Sequence, residues 1–197
     1  MIKNILSGIG GLVLVVVIYL GISYGGMIGK VSSLDPKAMG YYMDMFNKVL
    51  ETGNSAEAMV RKVRINDDVS TEDVVDNLKS MAGDNNFLVV GDSKMSIKES
   101  IKTGGKRYIR ILHFCAPSVA EQFIGFSEAF GAFMPCRILI VEDDKGDKWL
   151  YTMSMELMLH GGKPLPPKMM KMAETVRDLM YGMMDAAAID EDYEPKE

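Results

Sequence analysis

The stretch Cys136–Met155, CRILIVEDDKGDKWLYTMSM, decides how the rest of the chain is read. Two apolar runs flank a polar centre, and Lys145-Gly146 supplies the positive-φ position of a tight turn. This is a β-hairpin, so the sheet that contains it is at least partly antiparallel.

Upstream of the hairpin, Lys106–Cys115 (KRYIRILHFC) alternates as a strand should, and Ser118 with Glu121 has the spacing of a capping box for a helix carrying Val119, Phe123, Ile124 and Phe126, ended by Gly131. Further back, Met59–Ile65 reads as a strand. Ser70 and Asp73 form a second capping box, Gly83 closes that helix, Asn86–Asp92 (NFLVVGD) reads as a buried strand, and 93–102 as a short helix. Downstream, Pro166 and Pro167 introduce an amphipathic helix, KMMKMAETVRDLMYGMMDAAA. Strands and helices in this order predict an α+β domain over 59–189, a largely antiparallel sheet with helices packed on it, followed by an acidic tail at 190–197.

The N-terminal 30 residues are of a different kind. No charge separates Lys3 from Lys30, and Ile5–Tyr24 is almost wholly apolar. About 20 such residues, rising about 1.5 Å each, cross a hydrocarbon core of about 30 Å. The run exceeds the core of a secretory signal and no Ala-x-Ala-like site follows, so 1–30 reads as an uncleaved transmembrane anchor. A short tail ahead of a single span usually stays in the cytoplasm. The expectation is therefore an inner-membrane protein whose residues 31–197 lie in the periplasm. Gly21, Gly25 and Gly29, with Ser7 and Gly11, recur four apart and would let a transmembrane partner, or a second copy, approach closely. In the juxtamembrane segment 31–58, Asp35 reads as an N-cap and Pro36 as the first turn of a helix reaching Thr52. Its Met39, Tyr42, Met43, Phe46 and Leu50 form an apolar stripe for the domain or a partner.

Charge narrows the function. All 27 Asp and Glu lie beyond Lys30, against 22 Lys and Arg in the whole chain. That balance argues against nucleic acid and against a polybasic grip on anionic lipid. No phosphate loop, dinucleotide-binding glycine pattern, haem motif or nucleophile elbow occurs, which favours a non-catalytic protein.

Three chemistries nevertheless deserve weighing. Cys115 and Cys136 are the only cysteines, and outside the cytoplasm they could form a disulfide, stay as buried thiols, or serve a metal or redox site. His113 shares a strand face with Cys115, but zinc would need carboxylates to complete its shell. The 18 methionines are densest at Met153, Met155 and Met158, followed by His160, a soft donor set suited to copper(I). Methionine is also a flexible core filler and an adaptable partner surface.

From about residue 70 to 186 the chain resembles the bacterial and archaeal family called domain of unknown function 302. The resemblance rests on the order strand, FCAPSVAEQF, helix, FMPCRILIVED, hairpin, Met-rich segment and closing helix. The cysteine and proline pattern at 115–117 and 135–137 is similar to the branch carried by envelope proteins. The resemblance implies a compact α+β domain, often self-associating, with no established activity. Members often have Asn-Pro after the second hairpin strand, where this chain has MSMELMLHGG, so a ligand tied to that turn is not carried over. The sum predicts an accessory or interaction subunit of a membrane complex, with a respiratory complex as one candidate. Copper handling and thiol redox chemistry are the alternatives.

Overall fold

The protein is described by a computed structural model that covers residues 2–97 and 107–193. Helix α1 (Ile2–Val31) stands apart at the N-terminus, followed by α2 (Ala38–Thr52) and the short α3 (Ser55–Ala58). The domain then runs β1 (Val60–Arg64), α4 (Thr71–Asp84), β2 (Leu88–Ile97), β3 (Arg107–Cys115), α5 (Pro117–Phe126), a 3-10 turn at Glu128–Phe133, β4 (Cys136–Glu142), β5 (Lys148–Met153), α6 (Glu156–His160) and α7 (Pro167–Ala187). Among the described residues, α1 is the helix long and apolar enough to cross a membrane, and the Val13–Val31 window buries none of itself in the chain.

The hairpin is the centre of the sheet. β4 and β5 pair with Leu139 opposite Tyr151 and Glu142 opposite Lys148. Asp143 organises the turn: its Oδ1 accepts the N–H groups of Lys145 and Asp147, its Oδ2 accepts Trp149 Nε1–H, and Gly146 takes φ 86°. Outward from the hairpin the strand order is β1-β5-β4-β3-β2, every pair antiparallel.

Alternation sends Leu112, Phe114, Ile138, Ile140 and Leu150 to one face, all fully buried. Helices α4 and α7 cover that face with Val74, Val75, Leu78, Met81, Met180, Met183 and Met184. At about 1.5–3 kcal/mol for each large apolar side chain removed from water, this layer dominates the domain's stability.

Several expectations are corrected. Residues 93–97 are strand, not helix: Ser93–Ile97 pairs residue by residue with Ile111–Arg107, and the ladder overrides a weak helical reading, while 98–102 lies outside the described residues. Asn86–Asp92 is not a buried strand, because β2 sits at the sheet edge and leaves Leu88, Val89 and Val90 exposed. A bulge between Val89 and Gly91 brings Gly91 against His113, whose side-chain atoms would lie 3.1–3.3 Å from an added Cβ. Helix α4 does begin with the Ser70 cap, its Oγ accepting Asp73 N–H, but it passes Gly83, and Asn86 takes the left-handed conformation instead. The Ser118–Glu121 box is absent. Helix α5 starts with Pro117 at its first position, where no N–H requires a cap, and it ends at Phe126 before the 3-10 turn rather than at Gly131. Helix α2 starts at Ala38, two residues later than expected, since Asp35 Oδ1 holds the N–H of Lys37 in a turn that precedes the helix.

Candidate functional site

Beyond the main core, the end of the sheet near Met153 opens into a groove of about 570 Å³. One wall is the inward side of α2, with Tyr41 and Met45. The other is built by Met59, Val60, Met153 and Met158, with Phe133 closing one end. Lys48, Glu51 and Asp44 stand among the lining groups and leave it mostly apolar with a charged margin. A second cavity of about 270 Å³ shares Val60, Phe133, Met153 and Met158 with the groove, and Ile111, Leu139 and Tyr151 are among its other lining residues.

The sequence sets this geometry through local devices. Asn54 caps α3 by accepting Ala56 N–H, and the chain then enters β1. Where β5 ends, Ser154 N–H binds Met59 C=O at 2.8 Å, next to the cross-strand pair Val60–Met153. Tyr181 Oη, from α7, accepts Met155 N–H at 2.9 Å and turns the chain into α6. Burial is the main reason the Tyr181 hydroxyl titrates above its ordinary value, so it stays protonated.

The methionines of the predicted donor set are brought together in part. Met153, Met155 and Met158 all line the second cavity, joined there by Cys136. They do not share a strand face, since only Met153 belongs to β5, while Met155 precedes α6 and Met158 lies within it. His160 is elsewhere. It is 3% exposed, stacks on Tyr41 at 5.5 Å between centroids, and its Nδ1 is hydrogen-bonded to Asp35 Oδ2 at 3.1 Å. Among the described residues its buried Nε2 has no hydrogen-bond partner. Asp35 titrates below its ordinary value, first because it accepts Lys37 N–H and next because of His160. Two further bonds reinforce this tie: Asp35 N–H to Gly162 C=O and Tyr42 Oη–H to Gly161 C=O, both 2.8 Å. His160 thus fastens the segment before α2 to the end of α6.

Cys115 and Cys136 close the adjacent ends of β3 and β4, where Phe114 pairs with Cys136. An antiparallel neighbour relationship, which the sequence left open, places them at one end of the sheet. Both are free thiols and both line a small cavity of about 40 Å³ with Phe87 and Pro135. Burial, and next the neighbouring Cys115, push the Cys136 thiol up to about 11. Among the described residues no group of three or more His, Cys, Asp or Glu is placed to hold a metal ion. On α1, a Cβ at Gly21, Gly25 or Gly29 would meet nothing within 4 Å, while the side chains around Ser7 and Gly11 lie outside the described residues.

Sequence reasoning missed the Asp35–His160 tie, because partners 125 residues apart leave no local pattern. It also missed a charge cluster between α4 and the sheet edge. There Asp92 accepts Arg110 Nε at 2.8 Å and Lys79 Nζ at 2.6 Å, and Arg110 Nη1 reaches Glu72 at 2.7 Å. Arg110, and after it Lys79, hold the Asp92 carboxyl far below the usual range.

Residues 61–187 match the family described as domain of unknown function DUF302. The chain belongs to that family. A crystal structure of an uncharacterized conserved DUF302 protein from Bacillus stearothermophilus has the same fold, with a TM-score of 0.50 at 15% identity over 64% of this chain and 96% of that one. No curated protein matches. The extent of the DUF302 match is informative about the groove. Tyr41, Met45, Met59 and Val60 precede the matched region, whereas Phe133, Met153 and Met158 fall within it. The groove is therefore built between the DUF302 domain and a segment N-terminal to it.

Proposed function

We propose that this chain is a non-catalytic, single-pass anchored interaction subunit of a membrane complex. Helix α1 crosses the inner membrane, the domain lies on the periplasmic side, and the methionine-lined groove receives an apolar segment of a partner protein. The groove itself carries this reading. It is mostly apolar, large enough for several side chains, and lined by unbranched thioethers that adapt to what they meet. Its position between the family domain and the membrane-proximal helix suits a partner held at the bilayer.

The test is site-specific photo-crosslinking in native membranes, with the reactive residue at Met153 or, as a control, at Lys145 in the hairpin turn. Crosslinks to one protein from Met153 and not from Lys145 are expected, together with co-migration of that protein after detergent extraction. A chain that crosslinks nothing from Met153 and migrates alone as a monomer would end the proposal.

A second reading, soft-metal handling, is favoured by one observation: Cys136, Met153, Met155 and Met158 line a common cavity. Sulfur donors suit copper(I). A competition titration against a copper(I) chelator decides it, and absence of tight binding disposes of the idea. Thiol redox chemistry has less support, since a half-buried thiol pushed up to about 11 is the reverse of an exposed, activated thiolate.

A further inference from the structure

We infer that the corner formed by the Asp35 turn, α2, the Gly161–Lys163 turn and the start of α7 rests on anionic lipid headgroups, with the outer side of α2 entering the acyl boundary. The inference rests on α1 spanning the membrane, and it adds a second contact between chain and bilayer.

Three observations meet here. The first is reach. Helix α1 ends at Val31, and Asp35 is fixed to the domain through Gly162 and His160. Four Cα steps of at most about 3.8 Å keep that fixed point within about 15 Å of the helix end. A headgroup layer is roughly 5–7 Å thick, so the corner lies in or beside it.

The second is charge. Lys30, Lys37, Lys163, Lys168 and Lys171 are all exposed, and none makes an ion pair with a described residue. Within 30–43 and 161–173 the only acid is Asp35, whose carboxylate is already engaged and 9% exposed, and the further acids of α2, Asp44 and Glu51, line the groove together with Lys48. The acidic total of the domain therefore misdescribes this corner. Lysines at the start of α7 also work against the positive end of the helix, so helix stability does not account for them.

The third is the stripe on α2. Ala38, Tyr41, Met45 and Val49 turn toward the domain, while Met39, Met43, Phe46 and Leu50, spaced four, three and four apart, are 52%, 53%, 55% and 67% exposed. An amphipathic helix with an unpartnered apolar side, flanked by lysines and held at the bilayer, has the composition of an interfacial helix. The acidic remainder of the domain is repelled by the same surface and sets the orientation.

The experiment uses the full chain reconstituted in phosphatidylcholine vesicles, with or without roughly a third phosphatidylglycerol to supply the negative surface. Hydrogen peroxide oxidises exposed methionines, and peptide mass spectrometry reads the rate at Met39 and Met43 against Met95, on the sheet edge of the same molecule. Anionic vesicles should slow Met39 and Met43 by about fivefold or more relative to Met95, as burial of an interfacial helix predicts. The combined variant Lys163→Glu, Lys168→Glu, Lys171→Glu should abolish that difference. Equal rates in both vesicles, or protection that grows with protein density and ignores lipid charge, as a second copy would give, overturn the inference. Carbonate extraction run in parallel separates the two claims: a chain that stays in the pellet with equal rates keeps its anchor and loses this contact, and a chain released by carbonate loses both.

Discussion

Helices α7 and α2 are both amphipathic, both rich in methionine, and fated differently. In α7, Met180, Met183 and Met184 are at most 1% exposed and fill the space between α4 and the sheet. In α2, Met39 and Met43 are more than half exposed, and Met45 lines an open groove. The same side chain closes a core in one place and is left available in the other. What differs is the neighbour: α7 packs along a sheet face of branched and aromatic residues, whereas among the described residues the main neighbours of α2 are α3 and α6. Methionine content alone therefore does not separate closed core from accessible surface; the neighbouring element does.

The contrast is easiest to break on the α7 side. Phe114→Ala removes a fully buried ring, and Met183→Ala a fully buried thioether, from one closed layer. Costs of about 3–5 and about 2–4 kcal/mol are expected, read as shifts in urea midpoint. Met43→Ala in α2 should stay within about 0.5 kcal/mol of the parent. Comparable losses at Met183 and Met43 would mean that α2 is part of the core after all.

Next in size is the charge cluster that pins the sheet edge to α4. Arg110 is 14% exposed and Asp92 29%. Removing the guanidinium leaves Asp92 with Lys79 alone, and a charge-assisted hydrogen bond in such a setting contributes about 1.5–3 kcal/mol. Arg110→Ala should therefore lower stability by about 2 kcal/mol, and the Asp92→Asn, Arg110→Ala double variant should lose less than the sum of the single ones.

Most of α7's side of the molecule was legible in the sequence. The hairpin turn is specified by Lys145-Gly146, the sheet's central strands by period-two alternation, and α7 by its proline start and amphipathic spacing, whereas the role of Asp143 in the turn emerged only from the structure. The errors fell at ends and edges. At β2 an edge strand keeps one row of groups unpaired, so its composition resembles neither a buried strand nor a helix. At α5 the proline made the apparent capping box unnecessary. The candidate site was half legible: the methionines at 153, 155 and 158 stood out, but their convergence with Met45, Met59 and Phe133 depends on β1 docking beside β5, a contact between distant segments. His160 looked like a ligand because sequence places it after the methionines, and its true partner is Asp35, far upstream.

That pair supplies the smallest expected loss of stability and bears most directly on the comparison, since with the Tyr42 and Gly162 bonds it fastens the segment before α2 to the domain. Asp35→Asn keeps the shape and the acceptor for Lys37 N–H but removes the charge that His160 faces. A loss of about 1 kcal/mol is expected, in line with one hydrogen bond to a charged group weakened and not abolished. The sign of the pH dependence follows from the direction of the shift. The folded chain holds Asp35 below its ordinary value near 3.8, so its contribution is present above that value and fades as pH falls through the lowered one. Acid titration of thermal stability should therefore show a smaller drop below about pH 4 in Asp35→Asn than in the parent. Limited proteolysis within 31–58 should rise over the same range in the parent, while the closed α4–α7 layer stays protected. Equal acid sensitivity in both chains would show that the tie between α2 and the domain does not depend on this carboxylate, leaving the Tyr42 and Gly162 bonds to hold it.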